Sequence, residues 1–294
     1  MGDGLIDSVP IFFLTLQFQY CESLNMEKTK ILFVTQDITP FMKDSPMGLI
    51  SRHLPQGIQE KGREIRTFMP RFGNINERRN QLHEVIRLSG MNLIIDDTDH
   101  SLIIKVASIQ QARMQIYFID NEDYFHRKYV YRDKNNAFFE DNDERAIFFS
   151  RGVLETVKKL GWSPDIVHCH GWMSALTPLY VKKVYYENPL FSGSKVVTSI
   201  YDDDFTEPLH PNLQGKLKHE NIALKDLKHF KKPDFVSLMK AAIDLSDGII
   251  IASETINSEL QDYVAETGKP VLPFQSGDNY IQVYNEFYET ILHS

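Results

Sequence analysis

Cysteine is nearly absent from this chain: Cys21 and Cys169 are the only two in 294 residues. Thiols so few and so far apart make neither a disulfide framework nor a zinc cluster, so a reducing cytoplasm is the expected setting and no metal is expected. Glycine-rich signatures are missing as well. There is no Walker loop, no Gly-x-Gly-x-x-Gly and no Gly-x-Ser-x-Gly elbow. The usual sequence grounds for a P-loop nucleotidase, a dinucleotide enzyme or a serine hydrolase are therefore lacking. Basic charge is in deficit, with 32 Lys and Arg against 40 Asp and Glu and a formal net charge of −8. No basic stripe interrupts that balance, so nucleic acid is not an expected partner. The apolar stretch Ile11–Phe18 is far short of the ~20 residues that a membrane helix needs. Asp3 and Asp7 precede it where a signal peptide would be basic, and no small-residue cleavage site follows. Residues 1–25 are expected to be an N-terminal extension, with Met26-Glu27-Lys28 as the natural start and residues 26–294 as one domain.

What is present is ordinary globular material, 42% hydrophobic and 24% charged. Lys30–Thr35 reads as a buried strand because its apolar run is continuous rather than alternating. Glu64–Pro70 completes a β-α-β unit with it, Ile166–His170 and Lys195–Ile200 read as further buried strands, and Asp247–Ser253 as another strand. Helical periodicity falls between them, at about Gly48–Lys61, Arg145–Leu160, Val236–Leu245, Glu254–Tyr263 and Tyr280–Leu292. Pro55 predicts a kink or a late start in the first. Ser253 or Thr255 is the expected N-cap of the fourth. Val85–Leu88, Met91–Ile95, Ser101–Ala107 and Met114–Ile119 are short and rich in branched residues, the pattern of a β-hairpin insertion. The alternation predicts an α/β domain with a doubly wound, mostly parallel sheet.

The chemistry-bearing stretch is Ser163–Leu176, a strand, turn and helix. In open α/β sheets ligands bind beyond the carboxyl ends of strands, and there His168, His170 and Trp172 sit. The two histidines are expected on opposite faces of their strand, with no third ligand nearby for zinc. Lys43, just ahead of a helix amino terminus carrying Gly48, is the one phosphate-binding candidate. Asp202-Asp203-Asp204 reads as a loop of solvated carboxylates, with Mg²⁺ binding as the alternative. The aromatic residues Tyr124, Phe125, Tyr129, Tyr131, Phe138 and Phe139 suit either sugar stacking or a loop core.

Several segments together resemble the N-terminal half of bacterial glycogen and starch synthases, glycosyltransferase family 5. The family's Lys-Ile-Leu-Phe-Val opening and its Pro-Phe-x-Lys-Thr-Gly-Gly-Leu-Gly loop are similar to Lys30–Val34 and Pro40–Leu49. Its Tyr-Phe-Ile-Asp-Asn-Pro-x-Tyr-Phe segment is similar to Tyr117–Phe125. The Asp-Asn-x-Glu-Arg helix matches Asp141–Arg145, and Pro-Asp-Ile-Val-His-x-His-Asp-Trp-His matches Pro164–Met173. The resemblance implies a Rossmann-like domain, the first half of a GT-B architecture, without the family's C-terminal nucleotide-binding domain. It implies glucosyl transfer from ADP-glucose to an α-1,4-glucan, ADP-glucose being a substrate and not a cofactor. Lys43 and Gly48 would meet the phosphates. His168, His170, Asp120, Asn121, Tyr124 and Trp172 would line the glucose and acceptor side. The sequence departs from the family at Ser45-Pro46 and Leu49, where the family has Gly-Gly and an aspartate. It also departs at Met173 and Tyr201, where the family has histidines. Those departures and the missing second domain imply activity that is impaired or that needs a second chain or a homodimer covering the missing-domain face. The alternative is a non-catalytic glucan-binding or regulatory module.

Overall fold

The computed structural model describes residues 28–218 and 222–294, so the expectation for residues 1–25 lies outside it. Ten strands form the sheet: β1 (Lys30–Thr35), β2 (Glu64–Pro70), β3 (His83–Glu84), β4 (Met91–Ile95), β5 (Thr98–Ile109), β6 (Met114–Asp120), β7 (Ile166–His170), β8 (Lys195–Ile200), β9 (Gly248–Ile251) and β10 (Val271–Leu272). The order is β10-β9-β8-β7-β1-β2-β6-β5-β3, with β4 paired to β5. Every pairing from β10 to β6 is parallel, and those of β3, β4 and β5 are antiparallel. The expected α/β sheet and its hairpin insertion are both present. Val85–Leu88, expected as a strand, is instead a turn after the two-residue β3.

Among the described residues, five helices longer than eight residues cover the sheet: α1 (Pro46–Glu60), α2 (Asn142–Leu160), α3 (Phe235–Asp244), α4 (Ser258–Glu266) and α5 (Tyr280–Leu292). The central strands send alternate residues to two apolar layers. Ile31, Phe33, Ile166 and Val197 meet α1 and α5, whereas Leu32, Val34, Val167 and Cys169 share a layer with α2 and α3. Helix α5 buries Tyr284, Phe287, Tyr288 and Ile291, the i, i+3, i+4, i+7 stripe of an amphipathic helix. Each such side chain contributes about 1.5–3 kcal/mol when taken out of water. Helices α1 and α5 cross closely at Gly57, where a Cβ would lie 2.6 Å from Ile281.

Several boundaries differ from those expected, and capping explains them. Helix α1 begins at Pro46, two residues before Gly48, because the Ser45 side chain accepts from the Gly48 N–H and proline suits a first turn that needs no donor. It runs on through Pro55. Helix α4 starts at Ser258 with Asn257 as its cap, neither Ser253 nor Thr255. After β7 the chain does not make one helix: a 3-10 turn Trp172–Ser174, a short helix Thr177–Leu179 and a π turn Tyr180–Val184 follow in sequence. The polar stretch 201–236 is also ordered, with a short helix at Leu213–Lys216 and a 3-10 segment at Leu224–Lys231. Its buried Leu209, Leu213, Leu217, Leu227 and Phe230 hold it to the core. No helix among the described residues is long and apolar enough to cross a membrane.

Candidate active site

The carboxyl ends of β1, β7, β8 and β9 converge on one edge of the sheet, as parallel pairing requires. Beyond β1 the chain turns sharply through Gln36 and Asp37. Thr35 anchors the turn, donating to the Asp37 carbonyl at 3.0 Å and sharing a 2.8 Å hydrogen bond with Ser51 of α1. Ser45 donates to the Asp37 carboxylate while accepting from Gly48 at 2.9 Å. One carboxylate oxygen of Asp37 and the Thr39 hydroxyl remain buried without partners. Burial raises the Asp37 pKa, the bond from Ser45 opposes that shift, and the Asp44 charge adds to it.

The β7 turn is locked to β1 and β8. The Gln36 side chain accepts from the Met173 N–H at 2.8 Å and donates to Asp203 at 3.2 Å. The same Asp203 oxygen accepts from the Trp172 N–H at 3.2 Å, and the other oxygen is buried without a partner. Gly171 makes this close approach possible: its φ is +78°, and a Cβ there would sit 2.5 Å from the Gln36 side chain. Asp203 is thus not one of three solvated carboxylates, as the sequence led us to expect. Burial is the main cause that pushes its pKa up to about 7, against the bond from Trp172.

His168 and His170 were expected on opposite faces of β7, and the structure places them on the same face. Side chains alternate with a period of two, so residues i and i+2 point the same way. Their ring centroids are 3.9 Å apart, and both are buried. The His168 Nδ1 shares a 2.7 Å hydrogen bond with the Tyr288 hydroxyl of α5, and its Nε2 shares one of 2.8 Å with Ser199. His170 shares a 2.8 Å bond between Nδ1 and the Tyr201 hydroxyl, leaving Nε2 buried without a partner. Desolvation holds His168 well below its ordinary pKa and takes His170 down to about 3. Both imidazoles are therefore neutral at physiological pH.

A cavity of about 830 Å³ opens at this edge, within the size range of small-molecule sites. Its walls come from the α1 amino terminus (Ser45 to Met47, Leu49 and Ile50, with His53), from Tyr201 and Asp202 after β8, and from Ala252 to Thr255 after β9. Residues 274–278 and Tyr280 and Tyr284 of α5 complete it. None of the eight residues expected to meet phosphates, glucose or acceptor lines it. Gly48 is buried one turn inside α1, and Lys43 is exposed on the loop leading into that helix. His170 stands behind Tyr201. Trp172 is buried in an aromatic cluster, 4.9 Å from the Tyr131 ring and 5.1 Å from that of Phe205.

Asp120, Asn121 and Tyr124 come together elsewhere, at the end of β6. Asp120 is buried and pairs with Lys105 at 2.9 Å and His126 at 3.1 Å. Asn121 caps the short helix Glu122–Phe125 and donates to the Ser101 carbonyl at 2.9 Å. The Tyr124 hydroxyl donates to Glu144 and meets His100, both at 2.9 Å. Tyr124 and Phe125 are core residues, whereas Tyr129 is exposed. Sequence reasoning missed Asp37 and the α5 tyrosines, and it named Tyr201 and Asp203 only as a family departure and as one of three solvated carboxylates. The strand-end rule used for β7, applied equally to β1 and β8, would have placed Asp37, Tyr201 and Asp203 at the site.

A sequence model of the starch synthase catalytic domain matches residues 30–270. The chain belongs to this family. The glycogen synthase of Pelodictyon phaeoclathratiforme is 38% identical over 240 residues, 80% of this chain and 48% of that protein. The glycogen synthase of Chlorobium limicola is 40% identical over 174 residues, 59% of this chain and 36% of that protein. Among solved structures, the catalytic domain of starch synthase IV from Arabidopsis thaliana bound to ADP and acarbose superposes with a TM-score of 0.70. It shares 17% identity and covers 86% of this chain and 53% of its own. That likeness identifies the GT-B-type α/β fold of the starch synthase family. The chain spans less than half the length of these two synthases.

Proposed function

We propose that this synthase-family chain forms one wall of a cleft in which glucose passes from ADP-glucose to an α-1,4-glucan. The supporting observation is the cavity at the carboxyl ends of β1, β8 and β9, walled by the α1 amino terminus and by tyrosine rings. Two needs of the reaction fit it. A leaving diphosphate requires its charge neutralised, and Lys43 makes no ion pair among the described residues, on the loop that runs into α1. An acceptor sugar must be oriented against the anomeric carbon, and the half-buried ring of Tyr280 offers an apolar face for stacking. The nucleotide sugar is the substrate, and the proposal requires no separate cofactor and places the reaction in the cytoplasm.

Met173 cannot take the part of the family's histidine, since a thioether donates no hydrogen bond and this one is fully buried. Tyr201, which lines the cavity with its hydroxyl tied to His170, is the group through which His170 acts in this reading. The other half of the cleft comes from the part of the relatives that this chain does not span, on the same polypeptide or another. Calorimetric titration with ADP and with maltoheptaose tests the assignment. ADP affinity that falls about tenfold in Lys43→Ala, with maltoheptaose affinity unchanged, is the expected result. ADP binding indifferent to Lys43 would overturn the phosphate role.

A further inference from the structure

The opposite edge of the sheet carries a second cavity, of about 580 Å³, at the amino ends of β2 and β6. Its charge runs against that of the molecule. In a chain with 40 acids and 32 bases, the lining among the described residues holds Lys28, Arg63, Arg66 and Arg113 with Glu64 as the single acid. Glu64 is engaged, accepting from the Trp162 indole at 2.5 Å. Arg63 is occupied too, donating to Asn285 at 2.7 Å and paired with Glu289 of α5. Lys28, Arg66 and Arg113 have no ion pair among the described residues.

Arg66 is held in place without being neutralised. It lies 5.1 Å over the Trp162 ring and donates through one terminal nitrogen to the Tyr117 hydroxyl at 2.7 Å, while its Nε is buried with no partner. A guanidinium fixed by aromatic contacts, with donors left over, is arranged to receive an oxyanion in a fork. Gln59 and Gln115 add amides for hydroxyl or carbonyl groups.

We propose that this cavity is an anion site for a small phosphate-bearing molecule, separate from the synthase cleft. Arg66 and Arg113 bind the phosphate and Lys28 supplies longer-range attraction. The ligand binds the second terminal nitrogen of Arg66, which has no hydrogen bond among the described residues, whereas chloride or bulk salt offers no such directed geometry.

Inorganic pyrophosphate titrated calorimetrically at near-physiological salt is the test. It is run on the native chain and on Lys43→Ala, which removes the competing diphosphate position at the far edge. Saturable binding below about 1 mM is expected to persist in Lys43→Ala, and to weaken about tenfold when Arg66→Gln or Arg113→Gln is added. Arg113 is exposed, so its replacement leaves the fold intact if Arg66→Gln does not. Absence of saturable binding in Lys43→Ala, or an affinity untouched by Arg113→Gln, overturns the proposal.

Discussion

His168 and His170 lie 3.9 Å apart between ring centroids, side by side on the face of β7 that meets α5. Only neutral rings tolerate that spacing in an apolar layer, because two buried imidazolium ions would repel and lose their hydration. The pair has a different balance of bonds: His168 has both nitrogens engaged, His170 only one.

Acid stability should follow from this. The His170 pKa is depressed to about 3, so its stabilising contribution is complete above the unfolded value near 6.5 and is lost as pH falls towards 3. His170→Phe should flatten the decline in the urea midpoint between pH 6.5 and pH 4. An unchanged pH slope in that variant would show that the ring is already protonated or solvated.

Asp203 predicts the reverse dependence. Its pKa is raised to about 7, so the folded state binds more protons than the unfolded one and stability falls as pH rises from about 4 to 7. Asp203→Asn keeps an oxygen for the Trp172 N–H and the Gln36 amide while removing the charge. The variant should melt above the native chain at pH 8 and close to it at pH 4. Equal melting temperatures at pH 8 would contradict a buried carboxylate.

Ser45 joins a helix cap to the β1 turn. Ser45→Ala should cost about 0.5–2 kcal/mol, the usual range for a lost N-cap, measured as a shift in urea midpoint at constant slope. Because Asp37 also loses its donor, ADP binding should weaken along with stability. A midpoint unmoved by the substitution would mean that Pro46 alone sets the start of α1.

The sheet was legible in the sequence because parallel strands buried on both faces leave apolar runs, clearest in β1, and because β2 follows α1 as the second strand of a β-α-β unit. Lys195–Ile200 was even placed to the residue. The two-residue strands β3 and β10 left too little pattern to read. The site was less legible. A carboxylate such as Asp203 looks solvated in an Asp-Asp-Asp run, and only the tertiary approach of Gln36 and Trp172 buries it. The tyrosines of α5 reach the cavity from more than 70 residues along the chain after Tyr201, so no local motif could connect them. Asp120 and Tyr124 stood out by resemblance, yet their polar atoms are committed to Lys105, Glu144 and His100 within the protein.

The most direct test of the account is transfer of radiolabelled glucose from ADP-glucose to glycogen by the purified chain. It is measured alone and mixed with the portion of the Pelodictyon phaeoclathratiforme glycogen synthase that lies beyond the matched region. Lys43→Ala is run in parallel; its exposed, unpaired side chain should change stability by less than about 0.5 kcal/mol. The account predicts label incorporation in at least one arrangement, reduced at least tenfold in Lys43→Ala. No incorporation in either arrangement, by a chain that melts cooperatively, would contradict it.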